Sequence, residues 1–420
     1  MFISRSLDAL LPCAYFQASV NFFPEPGSWE PLMPYETSVP FRAGSEGYAS
    51  FRIPACVLAP DGTLLAFAEG RVDSSGDTGH IDIVARRSAD GGRSWGELRV
   101  VASHGTGTAG NPSPVVIPPG EGEGEGDAEE PEGTGGRIVL VFVTNAADAT
   151  EDRIRRGEVS AGDGRRVWVQ HSTDSGESWS GPREITPSAK MPDWRWYATT
   201  PGHALRLTRS PHEGRLVVPA NHSLPPEDEG DDGTEGRYNG GHDLLSDDGG
   251  ETWRIGYTDD NTDGVVNVNE TTAAELPDGV VYFNTRTEAI APEHRADARS
   301  EDGGESLLAP FEPQPALTAP VVEASVLQLY EPDVLVFSAP GDPEERRRMT
   351  LRASFDGGTD WWTVHTVDDR PAAYSDLVRV DDGTLGLLYE TGDENPYETV
   401  TFRRVPVAEL ASVPEAPQVP

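Results

Sequence analysis

Ser88-Ala89-Asp90-Gly91-Gly92-Arg93-Ser94-Trp95 is the stretch that sets the fold. Its frame, Ser-x-Asp-x-Gly-x-x-Trp, returns at Ser172, Asp174, Gly176 and Trp179. It returns again at Ser246, Asp248, Gly250 and Trp253, and at Ser354, Asp356, Gly358 and Trp361. A fifth copy keeps Ser300, Asp302 and Gly304 but has Leu307 in the Trp place. Recurrence of this kind marks a repeat architecture. The chemistry is that of a β-turn: Asp accepts from backbone N–H groups further along, Gly supplies a positive φ, and Trp packs back under the turn. The flanks Ile81–Arg87, Arg166–His171 and Met349–Ala353 are strand-like, so each copy reads as a hairpin turn.

Successive copies start 84, 74, 54 and 54 residues apart. The two long intervals hold two acidic runs, near 119–135 and 225–237, which read as solvated loop insertions without a partner. Further Asp-Gly turns lie at Asp61-Gly62, Asp278-Gly279 and Asp382-Gly383. With 45 Gly and 36 Pro, the chain suits many short strands rather than long helices. One four-stranded sheet per repeat implies an all-β, six-bladed β-propeller of four-stranded antiparallel blades. Five turns mark five blades, Tyr374–Val405 makes the sixth, and a strand near Tyr35–Phe41 is expected to complete it. A pair of β-sandwiches is the alternative. Residues 1–34 read as an N-terminal extension, 35–411 as the propeller and 412–420 as a Pro-rich tail.

Charge narrows the function. Against 71 Asp and Glu the chain has 33 Lys and Arg, a formal net charge of −38, which speaks against nucleic acid as a partner. No apolar run has the length of a membrane span. Cys13 and Cys56 are too few for a disulfide framework, and no His/Cys cluster has metal-ligand spacing, so neither cofactor nor metal is implied. The first 23 residues do not read as a signal peptide, which leaves the cytoplasm as the default and secretion open. A monomer is expected.

Tyr48-Ala49-Ser50-Phe51-Arg52-Ile53-Pro54 sets an arginine in an apolar strand start, where a guanidinium needs an anion. Phe-Arg-Ile-Pro followed by repeated Asp-box turns resembles the exo-α-sialidase (neuraminidase) family, from about Glu36 to Arg404. The resemblance implies a glycoside hydrolase acting on sialylated glycans. It implies three arginines on the sugar carboxylate: Arg52, Arg286 in Asn284-Thr285-Arg286, and Arg346 in Glu345-Arg346-Arg347-Arg348, with Arg348 the alternative. Bidentate guanidinium–carboxylate geometry suits that task. It implies Tyr374 as nucleophile and Glu270 as its base, with Glu275 the rival carboxylate. A neutral phenol approaches an anomeric carbon that already bears a carboxylate, where an anionic nucleophile would be repelled.

The resemblance also places the acid/base in the loop after the second strand. Asp77, 25 residues after Arg52, is the candidate, and Asp73 and Asp82 compete. Arg71 and Glu69 match positions near the sugar's 4-hydroxyl, Glu390 matches the carboxylate behind the first arginine, and Asn111 matches a pocket residue. Asn221 and His222 are candidates for the acyl pocket, with a structural role for His222 open. Two further readings stand beside hydrolysis of sialosides: a non-catalytic sialic-acid-binding propeller, and a propeller glycosidase acting on another ulosonic acid such as the deaminated sugar.

Overall fold

Each of the five turns forms in the same way. In the first, Ser88 Oγ accepts from Gly92 N at 2.8 Å and Asp90 Oδ1 accepts from Ser94 N at 2.9 Å. The fifth copy keeps both bonds, Gly304 N to Ser300 Oγ and Ser306 N to Asp302 Oδ1, each at 2.9 Å. Leu307 packs into the apolar cluster where a Trp would otherwise lie. The turn therefore rests on Ser, Asp and Gly, and the aromatic ring is an addition to it.

The computed structural model describes residues 36–120, 136–226, 228, 230–260, 264–288 and 294–411. The N-terminal extension, the Pro-rich tail, Cys13 and most of the first acidic run lie outside them. The strands form six four-stranded antiparallel units. Blade 1 is Ser50–Leu58, Leu64–Arg71, Ile81–Ser88 and Arg99–Ala102. Blade 2 is Thr108–Ile117, Arg137–Asn145, Arg166–Ser172 and Arg183–Glu184. Blade 3 has a split inner strand, Tyr197–Thr199 and Leu205–Arg206, followed by Leu216–Ser223, Asn239–Ser246 and Arg254–Asp259. Blade 4 is Thr271–Glu275, Val281–Thr285, Arg295–Ser300 and Glu312–Gln314. Blade 5 is Ser325–Tyr330, Asp333–Pro340, Arg347–Ser354 and the first half of Trp362–Asp381, whose second half opens blade 6. Thr384–Thr391, Thr399–Pro406 and Thr37–Arg42 complete blade 6.

Inner strands neighbour one another in blade order, and the last touches the first, so the sheets close into a ring. The core is divided accordingly. Six apolar clusters fill the six blade-to-blade interfaces; one joins Phe41, Leu388 and Phe402 of blade 6 to Phe51 and Leu64 of blade 1. Both faces of each sheet are covered, which is why Leu64–Arg71 is buried throughout rather than alternating. Cys56 is a buried free thiol. Among the described residues no helix is long and apolar enough to cross a membrane.

The turn glycines also join the blades. Gly92 has φ 87°, and a Cβ there would lie 2.2 Å from the ring of Phe402 in blade 6. Gly62, at φ 85°, faces open space. Gly62→Ala is expected to cost about 1 kcal/mol, the left-handed penalty alone. Gly92→Ala adds overpacking and is expected to cost about 2–4 kcal/mol. Denaturant unfolding of the two variants checks the difference.

Candidate active site

Three inner strands bulge at one end of the ring axis, and the bulges aim side chains inward. Register shifts fall between Arg52 and Ala55, Gly110 and Ser113, and Ala372 and Ser375. Ile53 has φ 59°, a costly conformation for a β-branched residue. It is held because Ile53 N donates to Glu390 Oε1 at 2.9 Å. Glu390 is fully buried, and it also accepts Arg52 Nε at 3.2 Å, Arg52 Nη2 at 3.5 Å and Tyr374 N at 3.3 Å. One carboxylate thus fixes both the first arginine and the backbone of the candidate nucleophile. Burial works against charge on Arg52, and Glu390, Tyr374, Tyr397 and Asp77 together more than offset it, so the guanidinium stays charged.

Arg286 follows the strand Val281–Thr285. Its Nη1 donates to Glu270 Oε2 at 2.9 Å and to Tyr374 OH at 3.2 Å, and its Nη2 to Glu288 Oε1 at 3.2 Å. Arg346 donates to Tyr397 OH at 3.0 Å and Val321 O at 2.9 Å, with its guanidinium 5.8 Å from the Tyr374 ring centre. Arg348 instead sits in a positive-φ bulge, exposed and 3.8 Å from Asp369. Of the two, Arg346 lines the cavity. Tyr374 OH donates to Glu270 Oε1 at 2.6 Å. Burial pushes the phenol well up and Glu270 adds to this, against the pull of Arg286, Arg52 and Arg346. Tyr374 is therefore a neutral phenol with a proton acceptor in contact, rather than a standing phenolate.

Asp77 lies on the loop after Arg71 with its side chain 76% exposed. Its Oδ1 accepts from Arg71 Nη1 at 2.7 Å and from Arg52 Nη1 at 3.2 Å. Burial on the inner side raises its pKa, but Arg71 and Arg52 outweigh that and hold the carboxyl below its ordinary range. Arg71 also binds Glu69 Oε2 at 2.6 and 3.0 Å and Ser75 O at 2.5 Å. Glu69 Oε1 takes Asn111 N at 2.8 Å. The competing carboxylates point elsewhere. Asp82 is buried against Tyr48 OH at 3.0 Å, Asp73 is exposed outside the cavity lining, and Glu275 binds Thr208 and Arg209 away from the cavity.

Arg52, Glu69, Arg71, Asp77, Asn111, Glu270, Arg286, Arg346 and Tyr374 line a cavity of about 280 Å³. Asn221 and His222 are not among its lining residues. His222 is fully buried, stacked on Trp194 at 3.7 Å and hydrogen-bonded to Asp260 at 3.0 Å, because its side of the strand faces the interface between blades 2 and 3. The far wall is made instead by Arg165, Trp196, Arg155 and Asn239, with Thr234 and Gly236 from the second acidic run. That run, expected as a freely solvated loop, is in its described part folded against the molecule: Asp232 meets Arg156 at 3.3 Å and Asp231 accepts Tyr238 OH at 2.7 Å. Tyr397, under Arg52 at 4.3 Å, is a further residue the sequence reading passed over. The Trp194-Arg195-Trp196 cluster was the signal that could have pointed to the far wall.

A family model described as BNR repeat-like domain matches residues 62–387. The sialidase of Micromonospora viridifaciens is 31% identical over 387 residues, covering 88% of this chain. The exo-alpha-sialidase of Aspergillus fumigatus is 30% identical over 390 residues, covering 85% of this chain and 84% of its own. The chain belongs to the sialidase family. It spans 54% of the length of the Micromonospora sialidase. Among solved structures, the Hadza microbial sialidase Hz136 superposes with a TM-score of 0.71 at 24% identity, covering 88% of this chain and 68% of that one, a likeness of fold.

The buttress makes the clearest test of the site's energetics. Glu390→Ala leaves the Arg52 guanidinium buried without its main partner and is expected to cost about 3–5 kcal/mol. Glu390→Gln, which keeps an acceptor, is expected to cost less. Denaturant unfolding measures both.

Proposed function

We propose that this protein is a retaining exo-α-sialidase that removes terminal sialic acid from sialylated glycoconjugates through a tyrosyl-enzyme intermediate. The observation that carries the reading is the 2.6 Å contact between Tyr374 OH and Glu270 Oε1, within a cavity lined by Arg52, Arg286 and Arg346. The names of the relatives, sialidase and exo-alpha-sialidase, agree with it.

In this reading the three arginines grip the sugar carboxylate. Asp77 gives a proton to the glycosidic oxygen as the bond from the anomeric carbon to that oxygen breaks. Tyr374 Oη bonds to the anomeric carbon while its proton passes to Glu270. Water then attacks the same carbon and loses a proton to Asp77. Tyr374 Oη leaves and recovers its proton from Glu270, and two displacements retain configuration. The non-catalytic alternative would dispense with Asp77, Glu270 or Tyr374, and all three are present in one cavity.

Asp77 cannot act as an acid while Arg52 and Arg71 hold it ionised. A substrate carboxylate on Arg52 neutralises one of these cations and lifts the Asp77 carboxyl. The alkaline limb of the kcat profile, which reports the complex, is therefore expected at higher pH than that of kcat/KM, which reports the free protein. Coincident limbs would remove this role for Arg52. Tyr374→Phe is expected to lower turnover of an aryl sialoside by three orders of magnitude or more, with unfolding unchanged. Asp77→Ala is expected to cost roughly 10²–10⁴-fold on a natural sialoside and much less on an aryl sialoside, whose leaving group needs no proton. Full activity of Tyr374→Phe would defeat the assignment.

A further inference from the structure

Arg52 stands on the inner strand Ser50–Leu58 of blade 1, and Arg346 just before the strand Arg347–Ser354 of blade 5, so blade 6 lies between them in the ring. Both line the cavity, and two like charges so placed repel. They share two aromatic rings. The Arg52 guanidinium lies 5.1 Å from the ring centre of Tyr374 and 4.3 Å from that of Tyr397. The Arg346 guanidinium lies 5.8 Å from the Tyr374 ring centre, and its Nη1 donates to Tyr397 OH at 3.0 Å. Tyr397 therefore offers a ring face to one cation and an oxygen lone pair to the other, the two electron-rich parts of a phenol.

The three arginines of the proposed clamp are not held alike. Arg52 meets Glu390 and Asp77, and Arg286 meets Glu270 and Glu288. Among the described residues the Arg346 guanidinium meets no carboxylate; its hydrogen bonds go to Tyr397 OH and to Val321 O at 2.9 Å. It is thus the member of the trio with most to gain from an incoming anion. A carboxylate in the place of Tyr397 would take up that charge before a ligand did, whereas a phenol aims the guanidinium and leaves the charge available. The loop that carries Tyr397, between the strands Thr384–Thr391 and Thr399–Pro406, is tightly folded. Glu398 accepts the N–H groups of Asp393, Glu394 and Asn395 at 3.1, 2.9 and 3.1 Å, and Asn395 Oδ1 accepts Tyr397 N at 3.0 Å. A Cβ at Gly392 would lie 2.2 Å from Asn395 O, so the loop closes on a glycine. Tyr397 packs against Ile53 and Tyr374 but is not among the residues that line the cavity.

Resting on the reading of the cavity as a sialidase centre, we infer that Tyr397 is a positioning residue for the carboxylate clamp: from outside the cavity it aims Arg346, and steadies Arg52, at the acid group of the ligand. It makes and breaks no bond in the reaction. Its contribution is to recognition of the charged acid group, and it falls away for a ligand in which that group is uncharged.

The test is calorimetric binding of a 2,3-dehydrated sialic acid and of its methyl ester to the full chain, as wild type, Tyr397→Phe and Tyr397→Leu. Tyr397→Phe, which keeps the ring under Arg52, is expected to weaken the acid about tenfold, the scale of one hydrogen bond to a charged group, and to leave the ester unchanged. Tyr397→Leu, which removes the ring as well, is expected to weaken the acid about threefold further. In an Arg346→Ala background, Tyr397→Phe is expected to have no further effect on the acid. With an aryl sialoside, Tyr397→Phe is expected to raise KM and spare kcat, because the clamp holds bound substrate and transition state alike. An unchanged ratio of acid to ester binding in Tyr397→Phe, the full loss repeated in the Arg346→Ala background, or a fall in kcat at unchanged KM overturns the inference and leaves the sialidase reading standing. So does failure of Tyr397→Phe to fold, which would make the hydroxyl a structural bond; if Tyr397→Leu alone fails to fold, Tyr397→Phe decides. Failure of wild type to bind the acid removes both readings.

Discussion

Like charges crowded into one cavity repel, and the structure depends on how that repulsion is met. Six guanidiniums share about 280 Å³; the buried carboxylates Glu390 and Glu69 meet two of them, and the less buried Glu270 meets a third. Glu390 carries the largest share. It is fully buried, satisfies Arg52 from behind, and spends its remaining capacity on the N–H groups of Ile53 and Tyr374. A buried ion pair is weak evidence of net stability, because desolvation opposes attraction. Its value here is geometric: it binds Arg52 from behind, so that Nη1 is turned toward the cavity and Asp77, while the strained bulge at Ile53 stays in place.

The same arrangement resolves a conflict of scale. The chain as a whole carries a formal charge of −38, which would repel an anionic sugar at long range. Screening removes most of that beyond about 10 Å in ordinary salt. Within the cavity six guanidiniums face the carboxylates of Glu69, Asp77, Glu151, Asp152, Glu270 and Glu288, and Asp77 reaches across to Arg52 and Arg71. The free protein thus holds a carboxylate beside the place where a substrate's carboxylate is proposed to bind.

What the sequence disclosed and what it hid follow from the range of the interactions. The Ser-Asp-Gly turns were legible because all their bonds close within a few residues, and the strand count followed from their spacing. Arg52, Asp77, Glu270, Arg286, Tyr374 and Glu390 were legible through short motifs resembling a known family; the first five line one cavity, and Glu390 is buried behind Arg52. The choice of Arg346 over Arg348 needed the bulge that turns Arg348 outward. Arg165, Trp196 and Tyr397 were hidden because they acquire meaning only through packing of separate blades. Asn221 and His222 misled because successive residues of a strand face opposite sides, and His222 turns to Trp194. The fifth turn shows the converse: losing its Trp removed a sequence signal without removing the turn.

The strand Thr37–Arg42 pairs with Thr399–Pro406, so Thr37 lies opposite Arg403. These are nearly the first and last segments that the structure describes. During synthesis, an early-emerging strand therefore waits for one made more than three hundred residues later before either edge is covered. The ring cannot shut progressively like a zipper; it latches in one late event, and the delay is set by translation rather than by the intrinsic speed of strand pairing. Until then the Phe41 and Phe51 faces that later meet Phe402 across the latch stand open to water or to a chaperone.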